Sequence, residues 1–117
     1  MFPYEQLEVY KKAYLANQKT YRLLRGNNII APYAKNQLGR ASLSIILNIA
    51  EGSAKYSVKD RRNFFITARG SVFECSSIVC LLHGEGEIPD DLKNDLYSSF
   101  DEISRILYAM IKNLERE

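Results

Sequence analysis

Histidine and cysteine are scarce in this chain, and their scarcity limits the chemistry that it can perform. The single histidine, His83, is not preceded by glutamate at the Glu-x-x-His spacing that a di-metal helix bundle requires. The two cysteines, Cys75 and Cys80, are five residues apart, a spacing that matches neither a zinc motif nor a CxxC redox motif. We therefore expect no metal, no cofactor, and two unpaired thiols that are buried as small apolar groups.

Long apolar runs are also absent. The longest, residues 43–50, spans about eight residues and is interrupted by Ser44 and Asn48, whereas a membrane-spanning helix needs about 20. The first residues, Met1 to Glu5, lack the basic segment and apolar core of a signal peptide. These features predict a cytoplasmic protein with no membrane partner.

The chain has no large excess of one charge, because 16 Lys and Arg residues are balanced by 14 Asp and Glu residues, a net charge of +2. The two halves nevertheless differ. Residues 1–62 contain eleven basic and four acidic residues, a net of +7, whereas residues 63–117 contain five and ten, a net of −5. Such asymmetry has three possible explanations: binding of a charged partner, head-to-tail self-association between unlike surfaces, or ordinary solvated helix faces.

What the sequence does contain is apolar residues at helical spacing in four segments. The Gly-Asn-Asn sequence at residues 26–28 ends the first segment, because glycine and asparagine tolerate the left-handed conformation found at helix ends. Pro32 suits the first turn of the second helix, and Ser57 can cap the third by accepting from the Asp60 backbone N–H. The expected helices span residues 4–25, 32–55, 58–83 and 89–115.

Short loops between long helices place consecutive helices antiparallel. No segment alternates apolar and polar residues between Asn-Gly or Asp-Gly turns, so strands are not expected. The sequence therefore predicts one all-α domain, an antiparallel up-down-up-down four-helix bundle.

The second helix is apolar on two faces, which is typical of a helix that is central in its fold or that supplies a subunit interface. The eight tyrosines also suit interfaces, and we therefore expect a homo-oligomer. One apolar face carries Leu38, Ala41, Ile45 and Ile49, and the other carries Leu43, Ile46, Leu47 and Ala50.

A polar line between these two faces steps by three or four residues and so lies along one side of the helix. With the following turn centred near residues 56–57, the third helix places Arg40 near Glu74 and Ser44 opposite Arg69. Glu51 falls opposite Arg62. This register predicts a partly buried ionic and hydrogen-bonding network between the two helices. Its members are Gln37, Arg40, Ser44, Asn48, Glu51, Arg69 and Glu74.

Gly70 lies in the middle of the third helix, where glycine costs about 1 kcal/mol relative to alanine. We expect close helix packing or an oligomer contact to offset this cost.

A catalytic interpretation of the polar line meets two obstacles. Glu51 and Glu74 fall near opposite ends of the helix pair, farther apart than the roughly 5–10 Å that a glycosidase carboxylate pair requires. Ser44 has no histidine nearby, because His83 lies about two helical turns beyond Glu74. We therefore expect no enzymatic activity and no small-molecule substrate.

The sequence resembles the bacterial four-helix bundle proteins encoded in intervening sequences of 23S ribosomal RNA genes, some of which are called S23 ribosomal proteins. The resemblance covers nearly the whole chain and rests on four segments: Leu7–Ala13, Gln37–Ile45, the Asn-Ile-Ala-Glu-Gly run at residues 48–52, and the Ala-Arg-Gly-Ser run at residues 68–71 that Glu74 follows. Gly39 departs from the family, which often has a basic residue before Arg40.

The resemblance implies an antiparallel bundle that assembles as a ring, with a pentamer as one form. It also implies a likeness to the accessory proteins of diversity-generating retroelements, which bind nucleic acid and a reverse transcriptase through a basic pentameric surface. This likeness is an analogy between folds and assigns no activity to the family.

Three interpretations remain open. One is an oligomeric scaffold that binds RNA or DNA, since phosphates are bound by Lys and Arg arrayed on one surface. The second is a module that docks a partner protein on its charged rim. The third is a passenger protein encoded by a genetic element, with a role that is only loosely constrained. The candidate nucleic-acid-binding residues are Lys11, Lys12, Lys55, Lys59, Arg61 and Arg62.

Overall fold

The computed structural model describes residues 1–116 and contains four long α-helices and no strand within that range. A single 3-10 turn, Pro3–Gln6, precedes them. The helices are α1 (Glu8–Leu24), α2 (Pro32–Ala54), α3 (Val58–Gly84) and α4 (Asp90–Glu115).

Side-chain contacts between neighbouring helices give the topology of an up-down-up-down bundle. Ser44 near the middle of α2 bonds to Ser71 near the middle of α3, whereas Gly52 near the end of α2 meets Phe65 nearer the start of α3. The same opposed progression relates α1 to α4, where Lys12 pairs with Glu102 and Lys19 pairs with Asp95. These contacts place α2 antiparallel to α3 and α1 antiparallel to α4, and α4 closes the bundle against α1. The molecule measures 46 × 25 × 22 Å.

The first helix is shorter than the sequence predicts. Pro3 begins the 3-10 turn, and the Phe2 backbone N–H donates to the Glu5 carboxylate at 2.7 Å. Leu7 then adopts extended backbone angles, φ −72° and ψ 128°, so regular helix begins only at Glu8. Nothing in the apolar spacing of this segment distinguishes such a break from continuous helix.

The helix ends otherwise follow their local sequences. The Ser57 hydroxyl accepts from the Asp60 backbone N–H at 3.2 Å, which confirms the predicted cap of α3. Gly26 and Gly86 adopt positive φ angles of 69° and 73° after α1 and α3, a conformation that costs glycine little.

The core is filled by one face of each helix, and on α2 this is the face of Leu38, Ile45 and Ile49, which are almost completely buried. On the second apolar face of α2, Leu43 and Leu47 are exposed. The prediction for the cysteines is half correct. Both thiols are free, but Cys75 is buried in the core and Cys80 is exposed.

Helix α3 is long and apolar enough to cross a membrane by length and composition, a property that the search for uninterrupted apolar runs did not reveal. In the fold, α3 packs against both α2 and α4. Its buried residues, including Phe65, Val72 and Val79, belong to the common core, and core helices of globular domains have the same composition.

Candidate functional site

The turn between α2 and α3 carries a cluster of cations that we call the basic corner: Lys55, Lys59, Arg61 and Arg62. Lys55 caps the C-terminal end of α2 and directly follows its last residue, and the other three lie in the first two turns of α3. Lys55 and Lys59 are exposed, and Lys55 Nζ lies 5.1 Å from the centroid of the Phe64 ring. The Ser57 cap fixes the start of α3 and thereby fixes how these side chains are presented.

The two arginines of the basic corner are only partly exposed. Arg62 Nε lies 3.6 Å from a carboxylate oxygen of Glu115 on α4, so part of its charge is already compensated. Arg61 has no carboxylate within ion-pair distance in the part of the chain that the structure describes, and the same is true of Lys55 and Lys59.

Tyr56 projects from the centre of the basic corner and is completely exposed. Tyr56 is not among the binding residues that the sequence predicts, although an aromatic residue between Lys55 and Lys59 in a turn is a recognisable signal. Aromatic rings next to cations form the stacking platforms on which proteins bind unpaired bases.

Lys11 and Lys12 differ from the cations of the basic corner in having carboxylate partners. Lys11 pairs with Glu8 on its own helix at 3.4 Å. Lys12 pairs with Glu102 on α4 at 2.6 Å, and the hydrogen bond to Glu102 raises the pKa of Lys12. Both cations therefore have carboxylates beside them that would compete with phosphate.

The predicted network between α2 and α3 consists of hydrogen bonds and contains no ion pair among the described residues. The Ser71 hydroxyl donates to the Ser44 oxygen at 2.9 Å, and the Asn48 amide donates to the same oxygen at 3.0 Å. Farther along, the Gln37 amide bonds to the Glu74 carboxylate. Ser44 thus lies opposite Ser71, two residues beyond the predicted Arg69, and two residues correspond to a rotation of about 200° around the helix.

This rotation places Arg69 on the opposite side of α3, against α4. Its Nε donates to the backbone carbonyl of Ser104 at 3.1 Å. Its guanidinium lies over two exposed aromatic rings, 4.7 Å from the centroid of Phe73 and 5.2 Å from that of Tyr108. The predicted contact with Ser44 is wrong, and the aromatic stack was missed because Tyr108 is distant in the sequence.

Arg40 and Glu51 do not join the predicted network. Both are exposed on α2, and neither forms an ion pair with any residue between Met1 and Arg116. Glu74 accepts a hydrogen bond from the Gln37 amide and does not pair with Arg40. Arg62 lies near Glu115 instead of Glu51. The predicted register paired these residues by their positions along the helix axes alone. It did not account for the side of each helix on which a residue lies.

The polar groups form no catalytic arrangement among the described residues. His83 Nε2, in the last turn of α3, lies 2.6 Å from a carboxylate oxygen of Asp90, the first residue of α4. This contact is about six helical turns along α3 from the basic corner. Residues 1–116 contain no group of three or more His, Cys, Asp and Glu side chains that could hold a metal ion.

Comparison with known proteins identifies the family. Residues 5–109 match the family model described as 23S rRNA-intervening sequence protein. The fold is similar to the crystal structure of a protein of unknown function from the S23 ribosomal protein family of Bacteroides thetaiotaomicron, with a TM-score of 0.82 and 22% sequence identity. That similarity covers 89% of this chain and 98% of the other. No curated protein matches the sequence. Since the family model spans most of the chain, the protein belongs to the 23S rRNA-intervening sequence protein family.

Proposed function

We propose that this protein is a non-enzymatic, cytoplasmic, homo-oligomeric scaffold that binds RNA or DNA through the basic corner. The observation that carries the proposal is that Lys55, Lys59 and Arg61, cations without carboxylate partners in the described chain, share one helix-to-helix turn with the fully exposed Tyr56. The family description refers to the gene context of 23S ribosomal RNA, which is compatible with this proposal and does not establish it.

The physical basis is release of counterions from the phosphate backbone. Each phosphate that a Lys or Arg neutralises adds about 0.7 to 0.9 to the slope of log affinity against log salt concentration. Three such contacts per chain give a slope of about −2 to −3, and affinity then falls roughly 20- to 40-fold when salt is raised fourfold. Self-association would increase the effect, because several basic corners could contact one nucleic acid.

The test is a titration of fluorescently labelled structured RNA and of duplex DNA, followed by anisotropy at low and at physiological salt. The variant has Lys55, Lys59 and Arg61 replaced by Gln. A matched control removes the same charge from Lys12, Arg105 and Lys112, which already pair with carboxylates. We expect the first variant to lose binding and the control to retain most of it.

Absence of binding by the wild-type protein at low salt would contradict the proposal. Equal losses in the two variants would also contradict it, because binding would then depend on net charge and not on the basic corner.

A second candidate function, docking of a partner protein, is favoured by the stack of Arg69 between Phe73 and Tyr108. Arginine and aromatic residues dominate the binding energy of protein interfaces. Here the two rings are exposed, Arg69 is partly exposed, and contacts within the chain already order them. A photo-crosslinking amino acid in place of Phe73 should capture one defined protein in cells, whereas the same group at the exposed Asn94 should not.

A further inference from the structure

Helices α1 and α2 border a surface groove of about 600 Å³, which we call the α1–α2 groove. It is formed by the last two turns of α1 and the first three turns of α2, and its volume lies within the range of small-ligand sites. The Asn17 amide donates to the Ser42 hydroxyl at 2.8 Å and joins the two helices there. The lining residues that matter for binding are Tyr21, Leu24, Arg25, Lys35, Gly39 and Arg40.

The charged residues that line the α1–α2 groove are all cations. They are Arg25, Lys35 and Arg40, and no Asp or Glu of residues 1–116 lines the groove with them. None of the three forms an ion pair in the described part of the chain. Lys35 Nζ donates to the backbone carbonyl of Asn27, a neutral group that holds the side chain in place without compensating its charge. Such a cluster suits a phosphate, which carries more than one negative charge and several acceptor oxygens.

A surface for stacking lies beside these cations. Tyr21 is 62% exposed, and the guanidinium of Arg25 lies 5.0 Å from the centroid of its ring. Leu24 on α1 and the exposed Leu43 on α2 add apolar area to the lining. Unpaired bases stack on aromatic rings and on the planes of arginine side chains. The groove therefore combines a surface that suits a base with cations that suit a phosphate.

Gly39 keeps the α2 side of the groove free of a side chain. Glycine inside a helix is less favourable than alanine, so its presence there calls for a reason. A Cβ at position 39 would lie 3.5 Å from Cδ1 of Leu24, an ordinary van der Waals contact, and packing within the chain does not require glycine. Close approach of a ligand to the backbone of α2 supplies the reason.

We propose that the α1–α2 groove binds one unpaired nucleotide, with its base at Tyr21 and Arg25 over Gly39 and its phosphate at Lys35 and Arg40. A free nucleotide and one unit of a single strand present the same base and phosphate. The site is separate from the basic corner, because Arg40 precedes Lys55 by fifteen residues, about 22 Å along α2. The inference therefore goes beyond the proposed function and does not depend on it.

The test is calorimetric titration of the protein with adenosine monophosphate (AMP) and with single-stranded hexaadenylate. Tyr21→Ala should weaken binding roughly 5- to 150-fold, the range expected for loss of one base–aromatic stack. Tyr97→Ala is the matched control, because Tyr97 is also exposed and has Lys93 Nζ 5.0 Å from its ring centroid, but lies on α4. It should leave the affinity unchanged.

A second variant fills the groove. Gly39→Leu should abolish binding, whereas Gly70→Leu, which adds the same side chain at an exposed glycine of α3, should not. Helix content and melting temperature are recorded for each variant, so that loss of the fold is separated from loss of the site. The variant with Lys55, Lys59 and Arg61 replaced by Gln should bind AMP as the wild-type protein does.

Binding of AMP that depends on Tyr21 and Gly39 would support a site for a free nucleotide. Binding of hexaadenylate alone, with the same dependence, would support a site for one unit of a strand. Absence of binding by both ligands, or equal losses in Tyr21→Ala and Tyr97→Ala, would overturn the inference. Neither of these results bears on the basic corner, whose binding of structured RNA and duplex DNA is measured with its own variant.

Discussion

Gly52 of α2 lies directly against the ring of Phe65 of α3. A Cβ at position 52 would stand 2.7 Å from Cε1 of that ring and 3.0 Å from the Cβ of Phe64. Phe65 is 1% exposed and enclosed by the core, so its ring has no free space into which it could turn. The absence of a side chain at Gly52 is therefore a condition for the close approach of the two helices next to the basic corner.

Gly52→Ala should lower the free energy of unfolding by about 1–2 kcal/mol, because the strain of overpacking exceeds what alanine gains in helix propensity. Urea denaturation at one fixed protein concentration measures the change. Gly70→Ala is the matched control, since position 70 is exposed and has no heavy atom within 4 Å of an added Cβ. It should raise stability by about 1 kcal/mol. If both variants gain stability, the ring of Phe65 moves more freely than its surroundings indicate.

The bond between Ser44 and Ser71 gives a second prediction. Ser71→Ala removes the donor that joins α3 to α2 and should cost about 1 kcal/mol, the usual net value of a partly buried hydrogen bond. Ser77→Ala, on an exposed position of the same helix, should change stability by less than about 0.5 kcal/mol. Equal effects would mean that the bond adds nothing beyond local helix preference.

The fold followed from the sequence because hydrophobic spacing and helix-end residues are local signals. The Ser57 cap and the buried face of Ile45 and Ile49 were read from residues within a few turns of one another. The boundaries of α2 and α3 agree with the structure to within one residue at each end for the same reason.

The side-chain contacts between helices were predicted less accurately from the sequence than the helices themselves. These contacts depend on how each helix is rotated about its own axis. A register error of two residues left Ser44 on the correct face but exchanged Arg69 for Ser71 as its partner. The predicted contacts of Arg40 and Glu51 were wrong for a related reason. A polar residue beside a helix contact and one inside it have the same sequence spacing. Tyr56 had a local signal in its flanking lysines, whereas the pairing of Arg69 with Tyr108 had none.

The position of Arg69 over two rings gives a third prediction. Arg69→Lys keeps the charge but loses the planar group that contacts Phe73 and Tyr108 while its Nε donates to the Ser104 carbonyl. We expect a loss of about 1–2 kcal/mol in the free energy of unfolding, because the carbonyl bond and both cation–π contacts are weakened together. Arg105→Lys, at an exposed site on α4, should be nearly neutral. A neutral Arg69→Lys would show that the stack is incidental to stability.

The buried thiol of Cys75 gives a prediction for the alkaline range. Burial, with a smaller contribution from the charge of Glu74, raises the pKa of Cys75 from 9.0 to about 12. The folded protein therefore keeps this proton over a range in which the unfolded chain releases it. Unfolding is then coupled to loss of a proton, so stability is fully present below about pH 9 and falls as the pH rises toward 12.

Chemical denaturation between about pH 8 and 11 should show the free energy of unfolding falling with a contribution from this thiol that approaches 1.4 kcal/mol per pH unit. Tyrosines and lysines titrate in the same range, so the informative quantity is the difference in slope between the wild-type protein and Cys75→Ala. Cys80→Ser is the control, because that thiol is exposed and its replacement should leave the slope unchanged. If Cys75→Ala and the wild-type protein lose stability in parallel, the Cys75 thiol ionises as readily in the folded bundle as in the unfolded chain, and its enclosure by the core is looser than the packing around it indicates.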